Sequence, residues 1–557
     1  MRTVFTTLNA RYVHAATAPF CLLSGLRTYL SPSVDAAVIE GTVNEPTEAV
    51  ADRILAASPD IVSLSVYIWN RRESAALISR LRTAAPSLYI LVGGPEAEHD
   101  ADAFLAECPA DAVLCGEGER AIAEVCRALF EGRDPSHLPG MVTKAQGGTL
   151  RIPPSPPEPI PPSAVIPEYL AAARGRIAYL ETSRGCPFSC AFCLSGRQSH
   201  SLRFYPVDRA RAELLALANA GVRTVKLVDR TFNADAARAR LLWRFLIEAY
   251  GKEIPEGISF HFEVAGDLLT DEDIALLATA PTGLIRLEIG IQSFRDDTLV
   301  AISRRPNAAR VADAVGRLSA LGNIEVHIDL IAGLPHEDLA SFAVGFDRAM
   351  ALRPAMLQLG FLKLLHGTAL ADRTDILRDG KPPYEVIATD TMRREDLALL
   401  RATADAADRL YNSHRFQRTL DYLFSDCGLS PFAIFSDFGS RGAGAGRSLD
   451  EYTDAFLGYA MALQGVDVRR LRDLALCDRL ASCHDHALPK TLYVPDERLA
   501  KVKKTIQKES IAAGDDTLFG LGILYTTGKV CVVHYRSRHP FTHEYPLTLR
   551  PITSFDL

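Results

Sequence analysis

The chain has 557 residues, 48% hydrophobic and 23% charged, with a formal net charge of −7. At roughly 150 residues per domain there is room for several cores, and the composition excludes a disordered, collagenous or coiled-coil protein. The acidic balance argues against a nucleic-acid surface, which needs a local excess of Lys and Arg to neutralise phosphates.

The amino terminus runs straight into a strand-like segment without a secretory pattern, and no apolar run reaches the length of a membrane span. The expected address is cytoplasmic, with no membrane partner. The 11 cysteines, an odd number, point to metal binding or burial rather than a disulfide framework.

Residues 1–145 alternate strands and helices. Strands are expected at Thr3–Leu8, Ile61–Val66, Leu88–Val92 and Ala112–Cys115, and helices at Ala18–Leu30, Ser74–Ala85, Asp102–Cys108 and Ala121–Phe130. Short apolar strands between amphipathic helices predict a parallel, doubly wound, Rossmann-like α/β domain. Eight prolines between Pro153 and Pro167 then predict a stiff linker over 146–172, because proline lacks the backbone donor that a ladder or helix interior uses.

A second series begins at Ile177. Strands are expected at Ile177–Thr182, Thr224–Val228, Phe260–Val264, Leu284–Ile289, Val326–Ile331 and Leu357–Leu362, with helices between them at Arg209–Ala220 and Asp271–Thr279. Six such units over 173–385 predict a partial (β/α)6 barrel with its active residues at the carboxyl ends of the strands. A mainly helical region follows over 386–490. A small α+β unit over 491–557 holds a basic helix around Leu499–Lys508 and a tail with Cys531, His534, Tyr535, Arg536, Arg538 and His539. A solvated charged face is the expected role of those cations.

The first strand of the second series leads into Glu181-Thr-Ser-Arg-Gly-Cys-Pro-Phe-Ser-Cys-Ala-Phe-Cys. Cys186, Cys190 and Cys193 thus stand in a Cys-x3-Cys-x2-Cys spacing. Three thiolates on one tight loop can each hold one iron of a 4Fe–4S cubane and leave the fourth iron open to a chelating ligand. A structural zinc site would want a fourth ligand close by, and none is present in sequence.

This loop at the end of a first barrel strand resembles the radical S-adenosylmethionine (SAM) superfamily. The resemblance extends to Val228-Asp229-Arg230-Thr231-Phe232-Asn233, Glu263-Val264-Ala265-Gly266-Asp267, Gly290-Ile291-Gln292-Ser293 and Gly333-Leu334-Pro335. It implies that SAM chelates the open iron and that Asp229, Glu263, Gly290, Gln292, Ser293 and Gly333 contact SAM. It also implies an external electron donor such as flavodoxin or ferredoxin. A structural salt bridge competes for Asp229 and Glu263, and a plain turn competes for the glycines.

A doubly wound domain, a linker and then this core resembles the cobalamin-binding class of that superfamily. Asn9, Ser65, Tyr67, Gly93, Gly94, Gly116 and Gly118 lie at strand ends, the edge where doubly wound sheets bind ligands, and are the expected cobalamin contacts. The Asp-x-His-x-x-Gly motif that supplies a cobalt ligand in some cobalamin domains is absent, so no lower axial ligand is named. The stretches Leu357–Thr368, Tyr411–Phe416 and Ser430–Phe432 resemble an extension of unassigned chemistry behind some such cores. Cys477, Cys483, His484 and His486 fit no metal spacing and are expected to be singletons.

The expected function is cobalamin-dependent methyl transfer from SAM to a small molecule or peptide in specialised metabolism. The alternatives are 3-amino-3-carboxypropyl transfer without cobalamin, for example to an arsenical, and an iron–sulfur or cobalamin sensor without catalysis. Transfer RNA methylthiolation fits poorly, because Cys21, Cys108, Cys115 and Cys126 do not match a second cluster motif.

Overall fold

The computed structural model describes residues 1–196, 202–304, 306–442, 446–484, 488–512 and 518–555. The chain divides by contacts into two units. One comprises residues 1–288, 301–306 and 362–386; the other comprises residues 289–300, 307–361 and 387–557.

The first unit opens with a seven-stranded sheet: β1 Thr3–Asn9, β2 Ala36–Thr42, β3 Ile61–Ser65, β4 Tyr89–Gly93, β5 Ala112–Leu114, β6 Met141–Ala145 and β7 Gly148–Arg151, in the order β2-β1-β3-β4-β5-β6-β7. The first five pair in parallel. The order 2-1-3-4-5 places the switch in strand order between β1 and β3. Adjacent residues feed opposite faces: Val4, Val62 and Ile90 enter one core, while Phe5, Ile61 and Leu91 enter the other. Helices accompany the strands: α1 Ala18–Tyr29, α2 Thr47–Ala56, α3 Arg71–Ala84, α4 Pro95–Glu98, α5 Ala101–Glu107 and α6 Gly118–Phe130.

The expected linker over 146–172 is partly structured. β7 lies inside it and extends the sheet as an antiparallel hairpin with β6, turning at Gly147 and Gly148, both at positive φ. Its far end forms helix α7, Pro167–Ala173, with proline in the first turn, where a missing N–H costs nothing. The proline run between them stays irregular.

All six expected barrel strands are present. In the first unit β8 (Ile177–Leu180) is followed by two short strands, β9 (Ser183–Arg184) and β10 (Arg203–Phe204), which pair with each other and bracket the cysteine loop. β11 (Thr224–Leu227) lies parallel between β8 and β12 (Ser259–Val264). β13 (Ile285–Gln292) carries the chain into the second unit, where β14 (Glu325–Ala332) and β15 (Met356–Phe361) pair in parallel. Beyond them the second unit is helical from Arg394 to Ser482. It ends in three antiparallel strands, Phe519–Leu524, Lys529–His534 and Leu547–Pro551, packed on the helix Arg498–Ala512 through Val502, Ile506, Ile523, Val530 and Val532.

Candidate active site

The cysteine loop leaves β9 at Arg184. Cys186, Cys190 and Cys193 are free thiols, all half-buried. A turn closes from Cys193 N–H to Cys190 O at 3.0 Å, and a Cβ on Gly196 would lie 1.8 Å from Phe188 O, so the loop folds back on itself. Burial pushes the Cys190 thiol up, and Arg304 opposes that shift. Among the described residues no three His, Cys, Asp or Glu side chains gather closely enough for one metal ion. A single ion would draw the thiolates together, whereas a cubane takes each on a separate iron. Three half-buried thiols on one loop fit a cluster that takes each thiolate on its own iron.

Asp229, two residues beyond β11, is buried beneath this loop. Its Oδ1 accepts from Thr182 N–H at 2.7 Å, and its Oδ2 accepts from Thr182 Oγ1 at 2.5 Å and Ser183 Oγ at 2.8 Å. Burial pushes its pKa up against these bonds. Glu263, on β12, is less enclosed and faces Arg230 at 3.6 Å; burial raises its pKa, and Arg230 opposes the shift.

In the second unit Gly290 and Gln292 lie on β13. Gln292 has φ +71°, is buried, and its Oε1 has no partner among the described residues. Ser293 Oγ donates to Glu337 Oε1 at 2.6 Å. Gly333, just past β14, has φ +83°, a conformation that favours glycine.

A cavity of about 300 Å³ lies at the carboxyl ends of β3, β4 and β5, at the low end of the size range of ligand pockets. Six of the seven expected cobalamin residues line it: Ser65, Tyr67, Gly93, Gly94, Gly116 and Gly118. Asn9 does not; its Nδ2 donates to Glu40 Oε1 at 2.7 Å. One of the glycines is required by packing alone: a Cβ on Gly94, at φ +98°, would come within 2.5 Å of Val66 O. Tyr67 stacks on Trp69 at 4.4 Å with nearly parallel rings, and burial pushes its pKa up to about 12.

The same cavity is also lined by residues that sequence reasoning missed: Glu117, Glu119, Glu181, Arg184 and Tyr205. Arg184 forms a fork on Glu181 at 2.6 and 2.9 Å, reaches Glu119 at 2.8 Å and meets Glu117 at 3.1 Å. Tyr205 OH donates to Glu181 at 2.9 Å. One guanidinium thus joins the start of α6 to the root of the cysteine loop. The signal was the pair Glu181 and Arg184 flanking the strand end, which reads as ordinary surface charge until the fold brings Glu117 and Glu119 to it.

A second missed set crosses the strands at one level, with Lys226 in register with both Tyr179 and His261. Glu288 Oε2 takes Lys226 Nζ at 3.0 Å and His261 Nε2 at 2.8 Å. Burial works against its charge, but these two donors prevail and hold it down at about 2. Tyr179 OH bonds His14 Nδ1 at 2.8 Å.

The carboxy-terminal cysteines and histidines form no metal group among the described residues. Cys477 is buried in the helix Val468–Ser482, and Cys483 caps that helix. Asp485 and His486 lie outside the described residues.

Comparison with known proteins agrees with this geometry. Residues 180–344 match the model of the radical SAM superfamily and residues 25–126 that of a B12 binding domain. Residues 375–515 match a protein of unknown function (DUF4080). The chain is 28% identical over 315 residues to 2-(S-pantetheinyl)-carbapenam-3-carboxylate methyltransferase of Streptantibioticus cattleyicolor, covering 52% of this chain and 44% of that one. It is 29% identical over 316 residues to the cobalamin-dependent radical SAM methyltransferase TokK of Streptomyces tokunonensis, covering 54% and 46%. The matched region therefore spans about half the length of these relatives. The fold is similar to that of the cobalamin-dependent SAM radical enzyme OxsB, at 15% identity and a TM-score of 0.59, covering 92% of this chain and 81% of that one. Residues 180–344 are thus similar to the radical SAM superfamily, and residues 25–126 ahead of them to B12-binding domains.

Proposed function

We propose that the protein is a cobalamin-dependent methyltransferase that moves a methyl group from SAM to a small molecule or peptide. One observation carries this reading: a single cavity is lined both by the strand ends of the B12-binding domain and by Glu181 and Arg184, which root the cysteine loop. When bound, the cluster and SAM supply reductive radical chemistry and cobalamin supplies a methyl carrier.

The residues divide the work as follows. Cys186, Cys190 and Cys193 hold the cluster. Ser65, Tyr67, Gly93, Gly94, Gly116 and Gly118 receive cobalamin. By the family resemblance, Glu263 of the first unit and Gly290, Gln292, Ser293 and Gly333 of the second are each assigned to SAM. Asp229 fixes the path from β8 into the cysteine loop through Thr182 and Ser183 rather than touching SAM. An acidic electron carrier, flavodoxin or ferredoxin, delivers the electron, and the setting is cytoplasmic. No helix among the described residues is long and apolar enough to cross a membrane.

The test is an anaerobic preparation with reconstituted cluster, given SAM, hydroxocobalamin and a strong reductant, with products identified by mass spectrometry. S-adenosylhomocysteine, with cobalamin retained through gel filtration, is the expected result. Methylthioadenosine without retained cobalamin would overturn it in favour of aminocarboxypropyl transfer, and intact SAM in favour of a sensor.

A further inference from the structure

Residues 362–386 follow the last barrel strand in sequence, yet they pack with residues 1–288. Their two edges pair with each other: Leu364 N–H donates to Tyr384 O at 3.0 Å, Val386 N–H donates to Leu362 O at 2.9 Å, and Lys363 faces Glu385 across an antiparallel bridge. Arg378 Nη1 donates to Leu364 O at 2.8 Å. The segment is thus a closed loop with its own main-chain bonds.

It is fastened at two places. At the first, Tyr384 OH donates to Glu96 Oε1 at the start of α4, directly after the cavity residues Gly93 and Gly94. Glu96 also stands 4.0 Å from Arg71. The His366 ring meets Tyr384 edge-on at 4.6 Å and lies 6.1 Å from His99. Gly367, at φ +82°, lies so close to His99 that a Cβ there would come within 2.1 Å of the ring.

At the second place, Leu370 N–H donates to Ala191 O at 3.0 Å, and Ala191 N–H donates to Ile302 O at 2.9 Å. Ala191 stands between Cys190 and Cys193. Buried backbone groups must find partners, and both polar groups of this one residue find theirs outside the cysteine loop, in segments distant in sequence.

We propose that residues 362–386 form a positioning strap that sets the cysteine loop against the carboxyl edge of the first sheet, with Tyr384 on Glu96 as its latch. This role rests on the reading of that loop as the cluster site. The strap holds Ala191 through Leu370, so the segment between Cys190 and Cys193 keeps one path whether or not the cluster is present. Releasing the latch frees Leu370 and then Ala191, a local opening that leaves the sheet intact.

The test is hydrogen–deuterium exchange of the full chain as Tyr384→Phe, before and after cluster reconstitution, with Glu96→Gln as the conservative variant that keeps an acceptor for Tyr384. In Tyr384→Phe the peptide covering residues 188–194 is expected to exchange about tenfold faster while β3 stays protected. In Glu96→Gln both are expected to match the wild type. The reconstituted Tyr384→Phe protein is expected to keep its iron but show a shifted cluster reduction potential. Faster exchange confined to residues 362–386 and 94–99, with residues 188–194 unchanged, would overturn the strap. Iron and sulfide analysis of the same wild-type samples separates the two readings: absence of a cluster overturns the cluster site while leaving the exchange result to judge the strap.

Discussion

Glu337 is a side chain whose chemistry departs from its sequence appearance. It is 2% exposed; Ser293 donates to one oxygen, and the other has no partner among the described residues. Burial pushes its pKa from 4.5 up to about 7, against the Ser293 bond. The folded state therefore holds a proton that the unfolded chain releases, so this contribution to stability is full below pH 4.5 and is lost as pH rises through 7. At about 1.4 kcal/mol per pKa unit, the loss is on the order of 3 kcal/mol. Glu337→Gln keeps the Ser293 bond and cannot ionise. Its unfolding midpoint should match the wild type near pH 5 and exceed it at pH 8, and parallel curves across that range would show that Glu337 is not protonated in the fold. Nothing in Gly-Leu-Pro-His-Glu-Asp announces this carboxyl, because burial belongs to the fold and not to the neighbours in sequence. Cys186, Cys190 and Cys193 could be proposed as a cluster site from sequence for the opposite reason: their spacing lies within one loop.

At the scale of elements, the crossing of α1 and α6 sets the cavity wall. Gly25 of α1 packs on the first turn of α6 so closely that a Cβ would lie 2.1 Å from Glu119 O. That neighbour is backbone and cannot swing aside. Gly25→Ala should therefore cost about 1–3 kcal/mol by overpacking, read as a lower urea midpoint. It should also displace Glu117 and Glu119 from Arg184, read as weaker retention of cobalamin. An unchanged midpoint would mean that the two helices have slack.

The strands on either side were legible where they are buried runs, as β1 and β3 are along their whole length. β2 was missed because most of its residues are half-exposed at the sheet edge, which blurs both the apolar run and the alternation. The strap was illegible because its partners, Glu96 and Ala191, are far from it in sequence.

Over the whole molecule, composition marked breaks near 145, 172, 385 and 490, while contacts divide the chain at Glu288 and Val386. The two need not agree, since composition records local stiffness and apolarity, whereas a cooperative unit is defined by which residues share a core. The first unit contains the whole B12-binding match and the cysteine loop; the second contains Gln292, Gly333 and the helical region. Two such units should give two calorimetric transitions, and the proposed cavity lies wholly within the first. A ligand that binds only the folded form at a hundred times its dissociation constant adds about 2.7 kcal/mol. Hydroxocobalamin at that excess should therefore raise one transition by several degrees and leave the other in place. If both rise together, the units unfold as one cooperative block and the division at Glu288 has no energetic meaning. If neither moves while cobalamin is retained, its site is not the cavity at the ends of β3, β4 and β5.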